Sequence, residues 1–336
     1  MSAERNHTTL MAAETAEAPQ VVARMLVQNR AELAELGKLV RGRAPTHFVT
    51  CARGSSDHAA SYFKYLSEIV LGVPCCSMGA SVVSIYDAPL KLRDTLLLTV
   101  SQSGQSPDII AFQDQARRAG VPTITITNDP QSPLARAADL CLPLGAGPER
   151  SVAATKTFIA SVAMLAAIVE VIGGDDSLHA GIAQLPEALD RAQRLGASEF
   201  EDVLASSMSL FTLGRGPSLP IAQEAALKLK ETSGLHAEAF SAAEVMHGPM
   251  ELVRQSFPIL VFSSVDAAAS AVEATVASLR GAGATVAQAP YIKTSNPFLD
   301  PLTMIQAFYG AAERISRSRG RNPDIPRLLK KITQTR

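Results

Sequence analysis

The chain has little net charge, few cysteines and no clustered metal ligands. Its 31 basic and 32 acidic residues leave a formal charge of −1. With no excess of one sign, binding to nucleic acid or to an anionic membrane surface is not expected. The four cysteines and six histidines are scattered without zinc-ligand spacing, so neither a metal nor a cofactor is predicted. We therefore expect the ligand to be a small molecule.

Long uninterrupted apolar segments are also missing. Glu4, Arg5 and Glu14 fall where a secretory signal needs an apolar core. The most apolar stretch, 158–173, contains Glu170 and is short for a bilayer span, so it predicts a buried helix. The cysteines lie in or beside apolar runs, as free thiols do in a reducing compartment. These features predict a cytoplasmic protein without a membrane segment.

An internal repeat organises the chain. THFVTCARGSS and SLFTLGRGPS are both β-rich runs that end in a turn, and their arginines, Arg53 and Arg215, are 162 residues apart. DTLLLTVS also aligns with FPILVFSS, which pairs Ser101 with Ser263, again 162 residues apart. Equal spacing of two separate motifs indicates two copies of one unit.

Each copy alternates apolar runs of strand length with helix-period segments, which is typical of a parallel sheet covered on both faces. We predict an α/β chain of two tandem, doubly wound, flavodoxin-like parallel-sheet domains related by internal duplication. Strands are predicted over 47–51, 73–78, 95–100, 123–127, 140–144, 210–214, 236–240, 257–263 and 285–289, and a helix over 19–36. The predicted segments are an N-terminal helical segment 1–35, a first domain 36–180, a helical connection 181–197, a second domain 198–318 and a C-terminal tail 319–336.

The segment SQSGQSPD, residues 101–108, leaves a predicted strand and opens a helix. Ligands of open α/β sheets bind at the carboxyl ends of strands, and hydroxyls with free helix N–H groups suit a phosphate dianion. The alternative is a simple helix start, with Ser106 as N-cap and Pro107 at the first helical position. Asp108 is unfavourable next to a phosphate. Copy two has lost the glycine and most hydroxyls at 263–267, which favours the ligand role in copy one.

The second candidate site lies on a predicted helix that ends at Gly234. Glu224, Lys228 and Glu231 are spaced by four and three residues, hence on one helix face. They form either a catalytic face or a solvated stripe with one i,i+4 ion pair. The next segment, HAEAFSAAEVMHGP at 236–249, holds two carboxylates and two imidazoles and ends in a fixed turn. This neighbourhood favours the catalytic alternative.

Three segments together carry a resemblance. SQSGQSPD, GRGPSLPIAQEAALKLKE and HAEAFSAAEVMHGPMEL closely resemble, in this order, the isomerase part of glucosamine-6-phosphate synthase, which is built from two sugar-isomerase (SIS) domains. The likeness runs from about Glu14 onward. The chain starts Met1-Ser2 without the synthase's N-terminal glutaminase cysteine, so we do not expect glutamine to supply nitrogen through such a domain. The stand-alone chains that look most similar are non-hexameric glucosamine-6-phosphate deaminases.

The resemblance implies roles by position. Glu231 falls on the base that carries a proton between C1 and C2, with Lys228 beside it, and we expect Glu231 to be a buried carboxylate. His247 falls on the ring-opening histidine, which in the family reaches the neighbouring subunit, so a homodimer with shared sites is expected. Lys331 falls on the tail lysine that forms a Schiff base, although adjacent Lys330 leaves the register open by one. The implied phosphate ligands are Ser55, Ser56, Ser101, Gln102, Ser103 and Ser106.

Val152 and Ala154 are the implied sugar contacts. Ala154 stands where the synthase has a serine just before Thr-Lys, so one sugar hydroxyl is expected to lose a partner. The resemblance implies conversion of glucosamine 6-phosphate and water to fructose 6-phosphate and ammonia. The alternatives are a galactosamine-6-phosphate deaminase, a fructosamine-6-phosphate deglycase, an aldose-ketose isomerase and a non-catalytic sugar-phosphate sensor.

Overall fold

Nine parallel strands form two separate sheets in residues 8–196 and 198–331, the part of the chain that the computed structural model describes. The strands are β1 His47–Ala52, β2 Cys75–Ser77, β3 Thr95–Val100, β4 Thr123–Thr127, β5 Leu140–Pro143, β6 Ser209–Gly214, β7 His236–Ser241, β8 Pro258–Phe262 and β9 Thr285–Gln288. The helices are α1 Leu10–Gln28, α2 Arg30–Arg43, α3 Ser55–Leu66, α4 Ser81–Ser84, α5 Pro107–Arg118, α6 Pro133–Arg136, α7 Lys156–Gly173, α8 Asp176–Ala192, α9 Ser198–Ser206, α10 Ser218–Lys228, α11 Ala269–Gly281 and α12 Asp300–Ser318.

The two sheets repeat one topology, which confirms the predicted pair of parallel-sheet domains. The first sheet has the order β2-β1-β3-β4-β5 and the second the order β7-β6-β8-β9. In the first sheet the chain runs outward from β1 to β2 and then returns to β3 on the other side of β1. This reversal opens a crevice between the carboxyl ends of β1 and β3, where ligands of such sheets bind.

The two domains share a central core. Helices α1, α3, α7, α8, α10 and α12 contribute buried apolar side chains to one continuous cluster that also includes the inner faces of both sheets. Smaller clusters lie on the outer faces, under α5 in the first domain and under α11 in the second. Helix α7 is long and apolar enough to cross a membrane by composition, but 78% of it is buried inside the molecule. The predicted buried helix over 158–173 is confirmed.

The single helix predicted over 19–36 is wrong. Helices α1 and α2 occupy this region and meet at Asn29, whose side-chain amide donates to two backbone carbonyls and fixes a non-helical backbone there. Helix α1 also begins earlier than predicted, because the carboxylate of Asp324 accepts hydrogen bonds from the N–H groups of Leu10 and Met11 at 2.9 and 2.8 Å. The Asp324 cap satisfies donors that a helix start otherwise leaves unpaired.

The predicted strands are all present, with small differences at their ends. The largest is β2, which is only three residues long. Pro74 precedes it and has no N–H for the ladder, so pairing cannot extend in that direction. The division into five segments stays a prediction, and residues 1–7, 197 and 332–336 of those segments lie outside the described residues.

Candidate active site

A cavity of about 340 Å³ opens at the carboxyl ends of β1 and β3. Its walls come from the loops after these strands, from the loop before α7, from the end of α10 and from the C-terminal tail. The volume suits a small molecule. The lining residues are Arg53, Gly54, Ser55, Ser56, Val100, Ser101, Gln102, Ser103, Ser106, Ile109, Val152, Glu231, Leu329, Lys330 and Lys331.

All six predicted phosphate ligands line this cavity, and a glycine shapes the loop that carries four of them. Gly104 has φ of +61°, a left-handed conformation that disfavours other residues. A Cβ at this position would overlap the side chain of Ser132. The N–H of Gly104 donates to Ser101 Oγ at 3.2 Å, and its carbonyl accepts from the N–H of Leu134 at 3.2 Å. Only glycine therefore allows the tight turn.

The hydroxyls at the cavity are not used as helix caps. Ser106 occupies the N-cap position of α5, but its side chain makes no capping hydrogen bond. The positions of the capping alternative are present, with Pro107 and Asp108 opening α5, but the Ser106 hydroxyl is not used as a cap. Helices α3 and α5 both begin at the cavity, and the first N–H groups of a helix together with its dipole favour an anion. Ser55 differs, because its hydroxyl donates to Glu224 Oε1 at 3.1 Å and cannot donate elsewhere at the same time.

Asp108, whose charge was expected to oppose a phosphate, has a cationic partner. Its side chain is 1% exposed and forms an ion pair with Arg53, which lines the cavity. Sequence reasoning noted Arg53 only as part of the repeat. The signal was available, since an arginine directly after a strand lies at the carboxyl end of the sheet.

The face of α10 predicted from spacing is buried, so the solvated-stripe alternative is wrong. Lys228 is 1% exposed, and its Nζ lies 2.5 Å from Glu231 Oε2 and 3.4 Å from Glu224 Oε1. Glu231 sits in a π-helical turn, Leu229–Ser233, that continues α10. Such turns occur often at functional sites. Its side chain is 21% exposed and reaches the cavity, so Glu231 is only partly buried, less than the expected buried carboxylate.

Glu224 is the fully buried carboxylate, and it collects donors from both domains. It accepts hydrogen bonds from Ser55 Oγ, from Tyr309 Oη at 3.0 Å and, with the proton on that ring nitrogen, from His58 Nδ1 at 3.1 Å. Burial alone would raise the pKa of Glu224, but the Lys228 ammonium, His58 and Ser55 together hold it below its ordinary value. Sequence reasoning missed His58 and Tyr309, which come from α3 and α12.

Lys228 is held in its charged form by the same cluster. Burial acts to lower the pKa of Lys228, but the carboxylates of Glu224 and Glu231 outweigh burial and raise it above its ordinary value. Burial raises the pKa of Tyr309 well above its ordinary value, and the Glu224 carboxylate adds to this effect. The cluster therefore places a fixed positive charge beside Glu231.

The tail lysine is anchored by the loop before α7. Lys331 Nζ donates to the carbonyl of Ser151 at 2.6 Å and lies 3.4 Å from Glu149 Oε2. Glu149 is buried and accepts hydrogen bonds from the N–H groups of Thr155 and Thr157 and from Thr157 Oγ1. Glu149 was not predicted, because nothing in the local sequence connects it to the tail.

Of the remaining predicted residues, Val152 lines the cavity, whereas His247 and Ala154 lie away from it. His247 is exposed between two short 3₁₀ turns and does not reach the cavity of its own chain. Val152 lines the cavity, and its N–H donates to the carbonyl of Asp324 at 3.1 Å. Ala154 is half-buried and is not part of the lining. Within residues 8–196 and 198–331, no group of three or more acidic, histidine or cysteine side chains has a geometry that could hold a metal ion.

The family model of the SIS domain matches two segments of the chain, residues 43–171 and 203–288. Each segment contains one of the two sheets. The chain belongs to the SIS-domain family. This membership agrees with the resemblance inferred from the three motifs.

Several known proteins are similar to this SIS-domain chain. It is 32% identical over 278 residues to glutamine–fructose-6-phosphate aminotransferase (isomerizing) of Bradyrhizobium diazoefficiens, covering 78% of this chain and 45% of that protein. The chain spans about half the length of the curated relatives it matches. A solved candidate phosphosugar isomerase from Silicibacter pomeroyi DSS-3 is 41% identical with a TM-score of 0.91, covering 94% of this chain and 100% of that chain. Glucosamine-6-phosphate deaminase of Thermotoga maritima shares the fold at 22% identity, with a TM-score of 0.73 and coverage of 94% and 100%.

Proposed function

We propose that this SIS-domain protein is an isomerising glucosamine-6-phosphate deaminase, which converts glucosamine 6-phosphate and water to fructose 6-phosphate and ammonia. One observation carries the proposal. A single small cavity has serine hydroxyls and two helix N-termini on one side, and the Glu231 carboxylate and the Lys331 amine among its other lining groups. The serine side suits the phosphate of the substrate, and Glu231 and Lys331 suit its reactive sugar carbons.

The phosphate is bound by neutral donors. The hydroxyls of Ser56, Ser101, Ser103 and Ser106 and the N–H groups at the starts of α3 and α5 surround the position that a dianion would take. Helix dipoles favour an anion at these N-termini. In this arrangement the sugar carbons extend towards Glu231 and the tail.

Glu231 acts as the base. With the ring open, its carboxylate removes the proton from C2 of the amino aldose and returns it to C1, which converts the 2-amino aldehyde to the 2-iminium ketose. One base that reaches two adjacent carbons suffices for this transfer. The Lys228 ammonium, 2.5 Å from Glu231 and buried, stabilises negative charge that develops at this end of the cavity.

Lys331 supports the release of ammonia. Its amine adds to the C2 iminium carbon, ammonia leaves, and water hydrolyses the resulting lysine imine to the ketone and the free amine. Lys331 is half-buried and bonded to Ser151 and Glu149, whereas Lys330 is exposed, which supports Lys331 as the reactive residue. The buried Glu149 carboxylate also serves as a counter-ion for the cationic imine.

Ring opening is assigned to His247 of a neighbouring subunit. His247 is exposed and distant from the cavity of its own chain, so it acts only if a second chain presents it. A homodimer with two shared sites satisfies this requirement. Mixing inactive His247→Asn and Glu231→Gln chains should then restore activity, because half of the sites in mixed dimers combine an intact histidine with an intact glutamate. Failure of mixed dimers to regain activity would contradict the shared site.

The reaction is tested by product analysis with three substrates. The purified protein is incubated with glucosamine 6-phosphate, galactosamine 6-phosphate and a fructosamine 6-phosphate, and ammonia and ketose phosphate are measured separately. We expect equal amounts of both products from glucosamine 6-phosphate, and none from the Glu231→Gln variant, which still binds the substrate. Turnover of another substrate instead identifies a neighbouring reaction, and binding without turnover identifies a sensor. Near-normal turnover by Glu231→Gln would exclude Glu231 as the base.

A further inference from the structure

Arg53 and Asp108 join the two loops that form the candidate phosphate site. Arg53 is the first residue after β1 and lines the cavity, with 41% of its side chain exposed. Asp108 is the second residue of α5, and its side chain is 1% exposed. Their ion pair spans the crevice between β1 and β3.

The positive charge of Arg53 offsets the negative charge of the buried Asp108 side chain. A carboxylate in the first turn of α5 already uses the positive end of that helix, so it competes with a phosphate bound at the same end. Without a cation nearby, the buried carboxylate would repel a phosphate dianion, and the low dielectric constant of the interior would strengthen this repulsion. A guanidinium has five N–H donors and can bind a carboxylate and a phosphate at the same time.

The internal repeat supports a ligand role for the pair. Arg215 is the equivalent of Arg53 in the second domain, and Ser270, the second residue of α11, is the equivalent of Asp108. The second domain therefore keeps the arginine but has neither the acidic partner nor the serine-rich loop. The Arg–Asp pair and the serine-rich loop occur together in one copy only, as expected if both serve one ligand.

We propose that Arg53 binds the phosphate group of the substrate and that Asp108 is the buried counter-ion that holds Arg53 in place. The serine-only site implied by the family motifs thereby gains a cation. This inference rests on the proposed function only in taking the ligand to be a sugar phosphate. It does not depend on which reaction follows binding.

Calorimetric titration of the full-length protein with glucose 6-phosphate, and with neutral glucose as a control ligand, tests the inference. Arg53→Gln should raise the Kd for glucose 6-phosphate at least about tenfold. Arg215→Gln, the matched control in the second domain, should leave it unchanged. Asp108→Asn loosens the anchor of Arg53 but also removes a charge that opposes the phosphate, so it should raise the Kd by less than Arg53→Gln does. The double variant Arg53→Gln/Asp108→Asn should bind more tightly than Arg53→Gln alone, because the opposing charge is gone.

Three outcomes would overturn the inference, and a fourth applies if Arg53→Gln does not fold. Arg53→Gln binding like the Arg215→Gln control would remove Arg53 from the phosphate site, and a double variant no tighter than Arg53→Gln would remove the counter-ion role of Asp108. Wild-type protein that binds glucose 6-phosphate no better than glucose would overturn the phosphate site itself. If Arg53→Gln does not fold, the Kd values of Asp108→Asn and of the double variant are compared instead. These two proteins differ only at residue 53, so the comparison gives the contribution of Arg53 without the buried charge. Equal Kd values would overturn the proposal. If the binding results are as expected but the protein releases no ammonia, the proposed reaction is rejected and the phosphate-binding role of Arg53 is kept.

Discussion

Replacing Lys228 by methionine tests the buried charge cluster most directly. The substitution keeps the length and apolar stem of the side chain but leaves Glu224 buried without its ammonium partner. Removing one member of a buried ion pair costs about 3–5 kcal/mol. Glu224 retains Ser55, His58 and Tyr309 as donors, so we expect the low end, about 3 kcal/mol, in the free energy of unfolding at pH 7.

Urea unfolding followed by circular dichroism measures this effect. Arg194→Met is the control, because Arg194 forms an exposed i,i+4 pair with Asp190 and its loss should cost less than about 0.5 kcal/mol. The double variant Lys228→Met/Glu224→Gln should recover much of the lost stability, since no buried charge remains. A loss below about 1 kcal/mol, or a double variant no more stable than Lys228→Met, would refute the buried cluster.

The direction of the pKa shift of Glu224 predicts how the stability of Lys228→Met depends on pH. In the wild type the pKa of Glu224 lies below its ordinary value of 4.5, so its contribution to stability is present above pH 4.5 and is lost as the pH falls through the folded-state value. Removing Lys228 leaves burial dominant and moves this pKa upward. The stability difference between wild type and Lys228→Met should therefore be largest near neutral pH and narrow as the pH approaches 4.5. A difference that stays constant between pH 7 and 5 would contradict this reasoning.

Three further variants test the loops and the tail. Gly104→Ala should weaken glucose 6-phosphate binding at least about tenfold in titrations, while Gly120→Ala, also at positive φ but with open space around it, should lower stability only. Glu149→Gln should slow borohydride trapping of fructose 6-phosphate on Lys331 without changing phosphate binding, and unchanged trapping would exclude the counter-ion role. Asp324→Ala should lower stability by about 1 kcal/mol in urea, because Leu10 and Met11 at the start of α1 lose their acceptor while the Thr9 cap remains, and an unchanged midpoint would contradict a role of Asp324 in stability.

The parallel sheets could be predicted because their signals are local. The strands are short runs rich in apolar or β-branched residues, and the equal spacing of two motifs indicated that the unit occurs twice. The start of α1 was missed although Thr9 is a local N-cap there, and the first two N–H groups of this helix also depend on Asp324, 314 residues from Leu10. A glycine stop such as Gly234 was visible, but the π-helical turn before it was not.

The candidate site shows the same division. The serine-rich loop at 101–106 could be predicted, since its residues are contiguous and leave a strand. The partners of Glu224 could not, because Ser55 and Tyr309 are 169 and 85 residues away along the chain and meet it only in the shared core. The spacing of Glu224, Lys228 and Glu231 could not show that Lys228 is buried, because residues on an exposed helix face have the same spacing.

A crystal structure of the Glu231→Gln variant with glucosamine 6-phosphate tests the central claim. The account predicts phosphate oxygens within about 3 Å of the hydroxyls of Ser101, Ser103 and Ser106, with C1 and C2 of the sugar next to residue 231. A phosphate bound away from the serine-rich loop, or a sugar turned so that C2 lies among the serines, would contradict it.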